Sequence, residues 1–320
     1  MIITDAVGCK TTREGNVMQT SGGYYMDGYL KENLDTIPIL LSKAWDVVGI
    51  ISGHGKVRIG KSTLALQVAY YLAWILAGGV VEVNDERKVV KIIPPTKPLK
   101  FDLDNVVFSP DELMKAAQKL PAQSVIVYDE GRAGLDSKRA MEAINKTLED
   151  FFQECGIYNH VILIVLPNFF RLHEDYAVAR SFFLLDVYAD KEFNRGFFKF
   201  YNELKKEQLY YFGKKKIGIR AKYGAAYDNF FGRFTSWLPF SKEDYENKKL
   251  QALRKKKVSN LQIKFKKQRD AAIYLAKNYS ERTHEELASE LSAMSNSRVT
   301  AEVVKRAIAT VTHKSFEEIG

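Results

Sequence analysis

Five continuous apolar runs mark the first two thirds of the chain: Val47–Ser52, 105–108, 124–128, 161–166 and 182–188. None alternates apolar with polar, as a half-exposed strand would. Continuous runs bounded by turn signals suit strands buried on both faces. Between them the pattern turns helical at 61–77, 138–155 and around 171–180. A further helix is announced by Ser109-Pro110-Asp111-Glu112, with Ser as N-cap, Pro in the first turn and Glu three residues after the cap. Strands alternating with helices predict an α/β fold whose parallel sheet is covered on both faces, a three-layer core.

The flanks read differently. Residues 1–40 show no clear period and are expected to form an arm. The segment 80–100, closed by Pro94, Pro95 and Pro98, reads as a β-ribbon. The aromatic runs 196–201 and 208–212 flank a short polar link and read as a hairpin. Helical periodicity returns at 268–313, where Thr283-His284-Glu285-Glu286 forms a capping box. The 320 residues exceed one comfortable core. The expected division is an arm over 1–40, an α/β core over 41–195, a hairpin extension over 196–241, a basic linker over 242–267, which reads equally as a helix, and a small helical domain over 268–320.

The first strand and first helix enclose Gly55-Lys56-Val57-Arg58-Ile59-Gly60-Lys61-Ser62, which satisfies G-x-x-x-x-G-K-[ST] without departure. The glycines let the backbone turn tightly, so that consecutive N–H groups face a β-phosphate. Lys61 reaches the β and γ oxygens, and Ser62 offers a hydroxyl to Mg²⁺. Thr63 completes the first turn of a helix whose positive end points at the anion.

A second half of the site is Val125-Ile126-Val127-Tyr128-Asp129-Glu130. A strand ending in Asp-Glu sets a carboxylate at the carboxyl edge of the sheet. Asp129 is assigned to the Mg²⁺ shell and Glu130 to polarising the attacking water. A strand–helix unit separates the two motifs in sequence. A phosphate-loop strand parted from the Asp-Glu strand by another strand is the arrangement of the additional-strand, catalytic-glutamate branch of P-loop ATPases. The guanine-specifying N-K-x-D pattern is missing, since Asn145-Lys146-Thr147-Leu148 lacks the Asp. ATP is therefore the expected nucleotide. Asn168, just after the 161–166 run, stands where such enzymes place a γ-phosphate sensor. Arg132, Arg139, Arg171 and Arg180 are candidates for an arginine supplied across a subunit interface, with Arg132 the foremost.

Three stretches together resemble phage and mobile-element ATPases of the FtsK–HerA superfamily, which includes packaging and Zot-like proteins. They are the segments 103–110, 127–135 (Val-Tyr-Asp-Glu-Gly-Arg-Ala-Gly-Leu) and 166–172 (Leu-Pro-Asn-Phe-Phe-Arg-Leu). The resemblance covers roughly residues 46–188. It implies a homo-oligomeric ring that moves DNA, in a virus or mobile element. One departure is Asn168, where that superfamily usually carries glutamine.

Charge sharpens the partner. The net charge is +9, yet residues 199–270 alone carry +13: 20 basic residues, with Arg233 included, against seven acidic. The remainder is −4. Lysines interleaved with Phe200, Tyr201, Tyr210, Tyr211, Phe212, Tyr223, Phe230, Phe231 and Trp237 suit phosphate-backbone contact and base stacking. The tail, with Arg298, Lys305 and Arg306 near its last helix, resembles a loose helix-turn-helix, so 268–313 is a second candidate DNA contact. Residues 64–81 lack charge, but they follow the phosphate loop directly and are expected to form a buried helix rather than a membrane span. Two cysteines, Cys9 and Cys155, make no disulfide framework. With no secretory pattern at the start, the expected place is the cytoplasm, that of the host if the source is viral. The leading expectation is an ATP-hydrolysing DNA translocase or packaging motor. Rivals are a helicase loader or replication ATPase, an ATP-switched DNA-binding partition or regulatory protein, and a virion assembly or secretion ATPase.

Overall fold

Uninterrupted Val, Ile and Leu runs pack side by side as strands Val47–Ser52, Val106–Val107, Val125–Asp129, Val161–Val165 and Phe183–Tyr188, all parallel to one another. Phe197–Tyr201 and Phe230–Arg233 extend the same sheet antiparallel, to seven strands. This computed structural model describes residues 3–4, 9–11, 17–19, 25–53, 58–84, 89–129, 158–214, 222–295 and 298–317. They divide into two compact units, Met1–Lys249 and Leu250–Gly320. The α/β expectation, a mostly parallel sheet with helices, is met in the first unit.

Strand order positions everything that follows. From one edge it runs Phe230–Arg233, Phe197–Tyr201, Phe183–Tyr188, Val47–Ser52, Val161–Val165, Val125–Asp129, Val106–Val107. Val161–Val165 thus lies between the Val47–Ser52 and Val125–Asp129 strands. The strand that separates those two in sequence, Val106–Val107, sits at the far edge.

The three central strands bury every residue. Val48, Ile50, Ile126, Tyr128, Ile162 and Ile164 share a cluster with Leu113 and Ala117 of helix Pro110–Lys119 and with Leu209 and Tyr210 of helix Glu203–Gly213. Helix Lys61–Leu76 packs against the same three strands from the opposite face. Ten of its residues are buried, including Gln67, which accounts for the charge-free run. The run then ends in a turn, and Val80–Val83 pairs with Val89–Ile93 as the expected ribbon. Among the described residues, no helix is long and apolar enough to cross a membrane.

Three expectations are corrected. The segment 208–212 is not a strand: Glu203–Gly213 is a helix, capped by Asn202, whose side chain accepts from the Lys205 N–H at 3.0 Å. Its buried positions, Lys206, Leu209, Tyr210 and Gly213, follow helical spacing. The partners of Phe197–Tyr201 are instead the two flanking sheet strands. The arm reading fails from Tyr25 onward, because Tyr25, Met26, Leu30, Leu34, Ile37 and Leu41 are buried. There Asp35 accepts from Lys31 Nζ and from the Tyr71 hydroxyl, both at 2.6 Å. The lysine-rich region takes the helical of its two readings, but as a single helix, Lys242–Asn278, so the boundary expected at 267 is absent and the first unit ends inside the helix at Lys249.

The second unit is helical, with His284–Ser295 and Ala301–Glu317 following that helix. Ile273, Leu287, Ala288, Val304 and Ala307 form its core. The Thr283 capping box is present: its hydroxyl accepts from the Glu286 N–H at 3.2 Å, and the Glu286 carboxylate accepts from the Thr283 N–H at 2.7 Å.

Lys206 is fully buried, its ammonium donating to the carbonyl of Val178 at 3.1 Å, to the Ser181 hydroxyl at 2.6 Å and to the Ser181 carbonyl. These acceptors carry no formal charge, and burial pulls the group down to about 7 from an ordinary 10.5. Below pH 7 folded and unfolded chains both hold the proton. Between about 7 and 10.5 the unfolded chain holds more, so stability rises with pH in that window. Lys206→Met should remove this slope. In denaturant titrations the wild type should gain on the variant from pH 7 to about 9.5. A pH-independent difference would refute the assignment.

Candidate functional site

The strand before the candidate phosphate loop ends at Ser52, and helix Lys61–Leu76 begins nine residues later. Gly60 occupies its N-cap with φ of 100°, a conformation that favours glycine. A Cβ there would also lie 2.8 Å from the Phe234 ring. Being glycine, this N-cap offers the first turn no side-chain acceptor of its own. Such a helix end is suited to an anion. Arg58 is exposed and Ile59 buried beside Gly53. Gly55, Lys56 and Val57 lie outside the described residues, as do Glu130, Arg132 and Arg139.

Sheet register brings the second motif to the same edge. Val165 pairs with both Ile51 and Asp129, so the Asp129 carboxylate stands level with the end of the phosphate-loop strand, two strands away. Asp129 is only 2% exposed. Two residues of the first helical turns after Lys242 converge on its Oδ2: the Tyr245 hydroxyl donates to it, and Lys249 Nζ lies 2.7 Å away. The Tyr245 hydroxyl is also hydrogen-bonded to Ser62. One phenol oxygen therefore joins the first turn of the phosphate-loop helix to the Asp129 strand. Burial, then the Asp129 charge, pushes that phenol above its ordinary range. Lys61 stands in the same field: burial lowers its pKa, Asp129 and Asp186 oppose that, and Lys249 adds to it.

Lys61, Ser62 and Asp129 are thus brought together as the sequence suggested. Asn168 has a structural duty, since its side-chain Oδ1 accepts from the Phe170 N–H at 3.0 Å as the cap of a short turn. Beside it, the buried Tyr223 hydroxyl lies 3.0 Å from the Ser52 hydroxyl and accepts from the Phe169 N–H at 2.8 Å, tying the two strand ends. Arg171 is exposed. Arg180 interacts with Asp46, before the start of the phosphate-loop strand, and so belongs to the opposite edge of the sheet.

Sequence reasoning missed Tyr245, Lys249 and Gln67 as site residues, and it assigned Tyr223 to base stacking. Their spacing held one usable signal: Tyr245 and Lys249 are four apart and share a helix face. Gln67 is buried and donates to the carbonyls of Thr235 and Trp237 at 2.7 and 2.9 Å. Searches with protein-family models and against curated proteins find no match for this chain.

Among the described residues no group of three or more His, Cys, Asp or Glu forms a metal cluster. Mg²⁺ at a nucleotide needs no such cluster, since it takes one or two carboxylates, phosphate oxygens and waters. A buried carboxylate and a serine hydroxyl hydrogen-bonded to one shared oxygen supply the donor types it prefers.

Gly60→Ala should cost about 1–3 kcal/mol of stability, from backbone strain plus the collision with Phe234. Urea denaturation measures it. Phe234→Ala in the same background should recover only the steric part. Full recovery, or no loss at all, would show that the left-handed turn is not needed.

Proposed function

We propose that this chain is a magnesium-dependent P-loop ATPase of the additional-strand, catalytic-glutamate branch, working as an oligomeric nucleic-acid motor of the DNA-translocating or packaging kind. The observation that carries the ATPase reading is the meeting of Lys61 and Ser62, at a helix start with glycine as N-cap, with a buried Asp129 two strands away. The interposed Val161–Val165 strand supports the branch.

In this reading Lys61 binds the β- and γ-phosphate oxygens, and its lowered proton affinity marks a desolvated cation. Ser62 and Asp129 hold the cation, whose charge offsets that of the phosphates. The N–H groups of the first turn orient the anion. Glu130, next in sequence after Asp129, accepts a proton from the attacking water. A neighbouring subunit supplies an arginine, with Arg132 the first candidate.

The basic region supports the motor part less evenly than its charge suggests. Phe200, Tyr201, Tyr210 and Tyr223 are core residues, so the expected stacking platform does not include them. Lys206 is buried, Lys199 pairs with Asp228 at 3.0 Å, and Lys248 and Lys249 face the nucleotide edge. Exposed basic residues suited to phosphate contact include Lys266, Lys267 and Arg269 in the helix Lys242–Asn278 and Lys305 and Arg306 in the last helix.

Lys61→Ala and Glu130→Gln should each lower ATP turnover about 100-fold or more. Asp129→Asn should raise the Mg²⁺ needed for half-maximal rate. DNA should stimulate the wild type, with stimulation falling steeply with salt. Turnover unaffected by Lys61→Ala would sink the ATPase reading. Normal turnover by a monomer indifferent to every DNA form would sink the motor reading alone.

A further inference from the structure

The chain between Phe230 and Lys249 crosses the carboxyl edge of the sheet from one side to the other. It leaves the edge strand Phe230–Arg233 and passes Gly60, against which the Phe234 ring packs. Gln67 then holds it through the Thr235 and Trp237 carbonyls, and Trp237 meets Tyr70 edge-on at 5.2 Å. Beyond, Phe240 stacks on Phe101 and on Tyr245 at 6.3 and 6.1 Å. Lys248 donates to the Leu103 carbonyl and lies 3.8 Å from Asp104, next to the opposite edge strand. This strap covers both halves of the candidate nucleotide site.

Its two innermost polar groups sit where a cation would. Lys249 Nζ lies 2.7 Å from Asp129 Oδ2, with the Phe108 and Tyr245 rings within 5.8 and 5.4 Å of the ammonium. The Tyr245 hydroxyl spans Asp129 and Ser62, the two donors assigned to Mg²⁺. An ammonium and a divalent ion cannot both take the same carboxylate oxygen at contact distance. Like-charge repulsion opposes it, and Oδ2 already accepts from both the Tyr245 hydroxyl and Lys249 Nζ.

We propose that Lys249 and Tyr245 form an intramolecular plug that holds the cation position at Asp129 and Ser62 and must be displaced for a metal–nucleotide complex to bind. The proposal rests on the ATPase reading above. Displacement detaches residues 242–249, the start of the 37-residue helix, from the sheet edge. Nucleotide loading thereby becomes a mechanical event in this strap.

The test uses the full-length protein, Mn²⁺ as the metal and a non-hydrolysable ATP analogue. Free Mn²⁺ is read by electron paramagnetic resonance. Lys249→Met should lower the Mn²⁺ concentration for half-saturation about tenfold in the presence of the analogue, the factor set by loss of one charge-assisted contact. Tyr245→Phe keeps the rings packed and should shift it a few-fold in the same direction, whereas Lys249→Arg should resemble the wild type. A second readout needs no mutation: amine acylation of the wild type, mapped by mass spectrometry, should rise at Lys249 when Mn²⁺ and the analogue bind. Unchanged Mn²⁺ affinity in Lys249→Met, or unchanged or reduced acylation, overturns the plug while leaving the nucleotide site standing. If neither the wild type nor Lys249→Met binds the analogue with Mn²⁺, the nucleotide reading fails and the plug with it.

Discussion

A carboxylate buried at the sheet's carboxyl edge, one strand in from its side, has to be neutralised, and much of the first unit is arranged around that requirement. Asp129 is held there by a strand with no exposed residue, so it cannot turn outward to water. Leaving such a charge without a partner costs about 3–5 kcal/mol. Lys249 and Tyr245 meet the need, and both come from more than a hundred residues further along the chain. The strap that delivers them is anchored at Gln67, at the Phe101 and Phe240 rings and at Leu103. Each anchor makes sense once the carboxylate is fixed.

The same requirement reassigns the lysines. A count along 199–270 treats them as one solvated surface, yet Lys206 is sealed among carbonyls and Lys199, Lys248 and Lys249 have acidic neighbours. These cations serve the fold and the candidate site. The electrostatic surface left for a polyanion shifts toward the exposed residues of the long helix and the last helix. Aromatic residues follow the same division, since those beside the buried lysines fill the core.

What was legible in the sequence was local. Val47–Ser52 and Val161–Val165 could be read because uninterrupted β-branched and aliphatic runs suit a doubly covered strand. The Ser109 and Thr283 caps could be read because a hydroxyl and a glutamate three apart satisfy each other's backbone. Lys61, Ser62 and Asp129 were found because phosphate chemistry fixes residue types at short spacing. Glu203–Gly213 was misread because Leu209-Tyr210-Tyr211-Phe212 has strand-like composition, while the helical spacing of its buried positions shows only when Lys206 counts as interior. Tyr245 and Lys249 were invisible because their meaning depends on Asp129, which no local pattern links to them.

In the proposed reading the chain satisfies its own ligand site, which adds stability and lowers its apparent affinity for the ligand. The carboxylate, the serine hydroxyl and the phenol form a closed set in the described structure. An entering metal–nucleotide complex must therefore supply more than the contacts it replaces, and its affinity falls by the fraction of molecules already open. Phosphates can meet that demand because they bring their own metal ligands and engage a helix start whose glycine N-cap supplies no side chain of its own. A metal ion alone brings neither. The geometry thus favours joint entry of metal and nucleotide over entry of the metal first, and the discrimination arises from Lys249 sitting on Asp129 rather than on the phosphate loop.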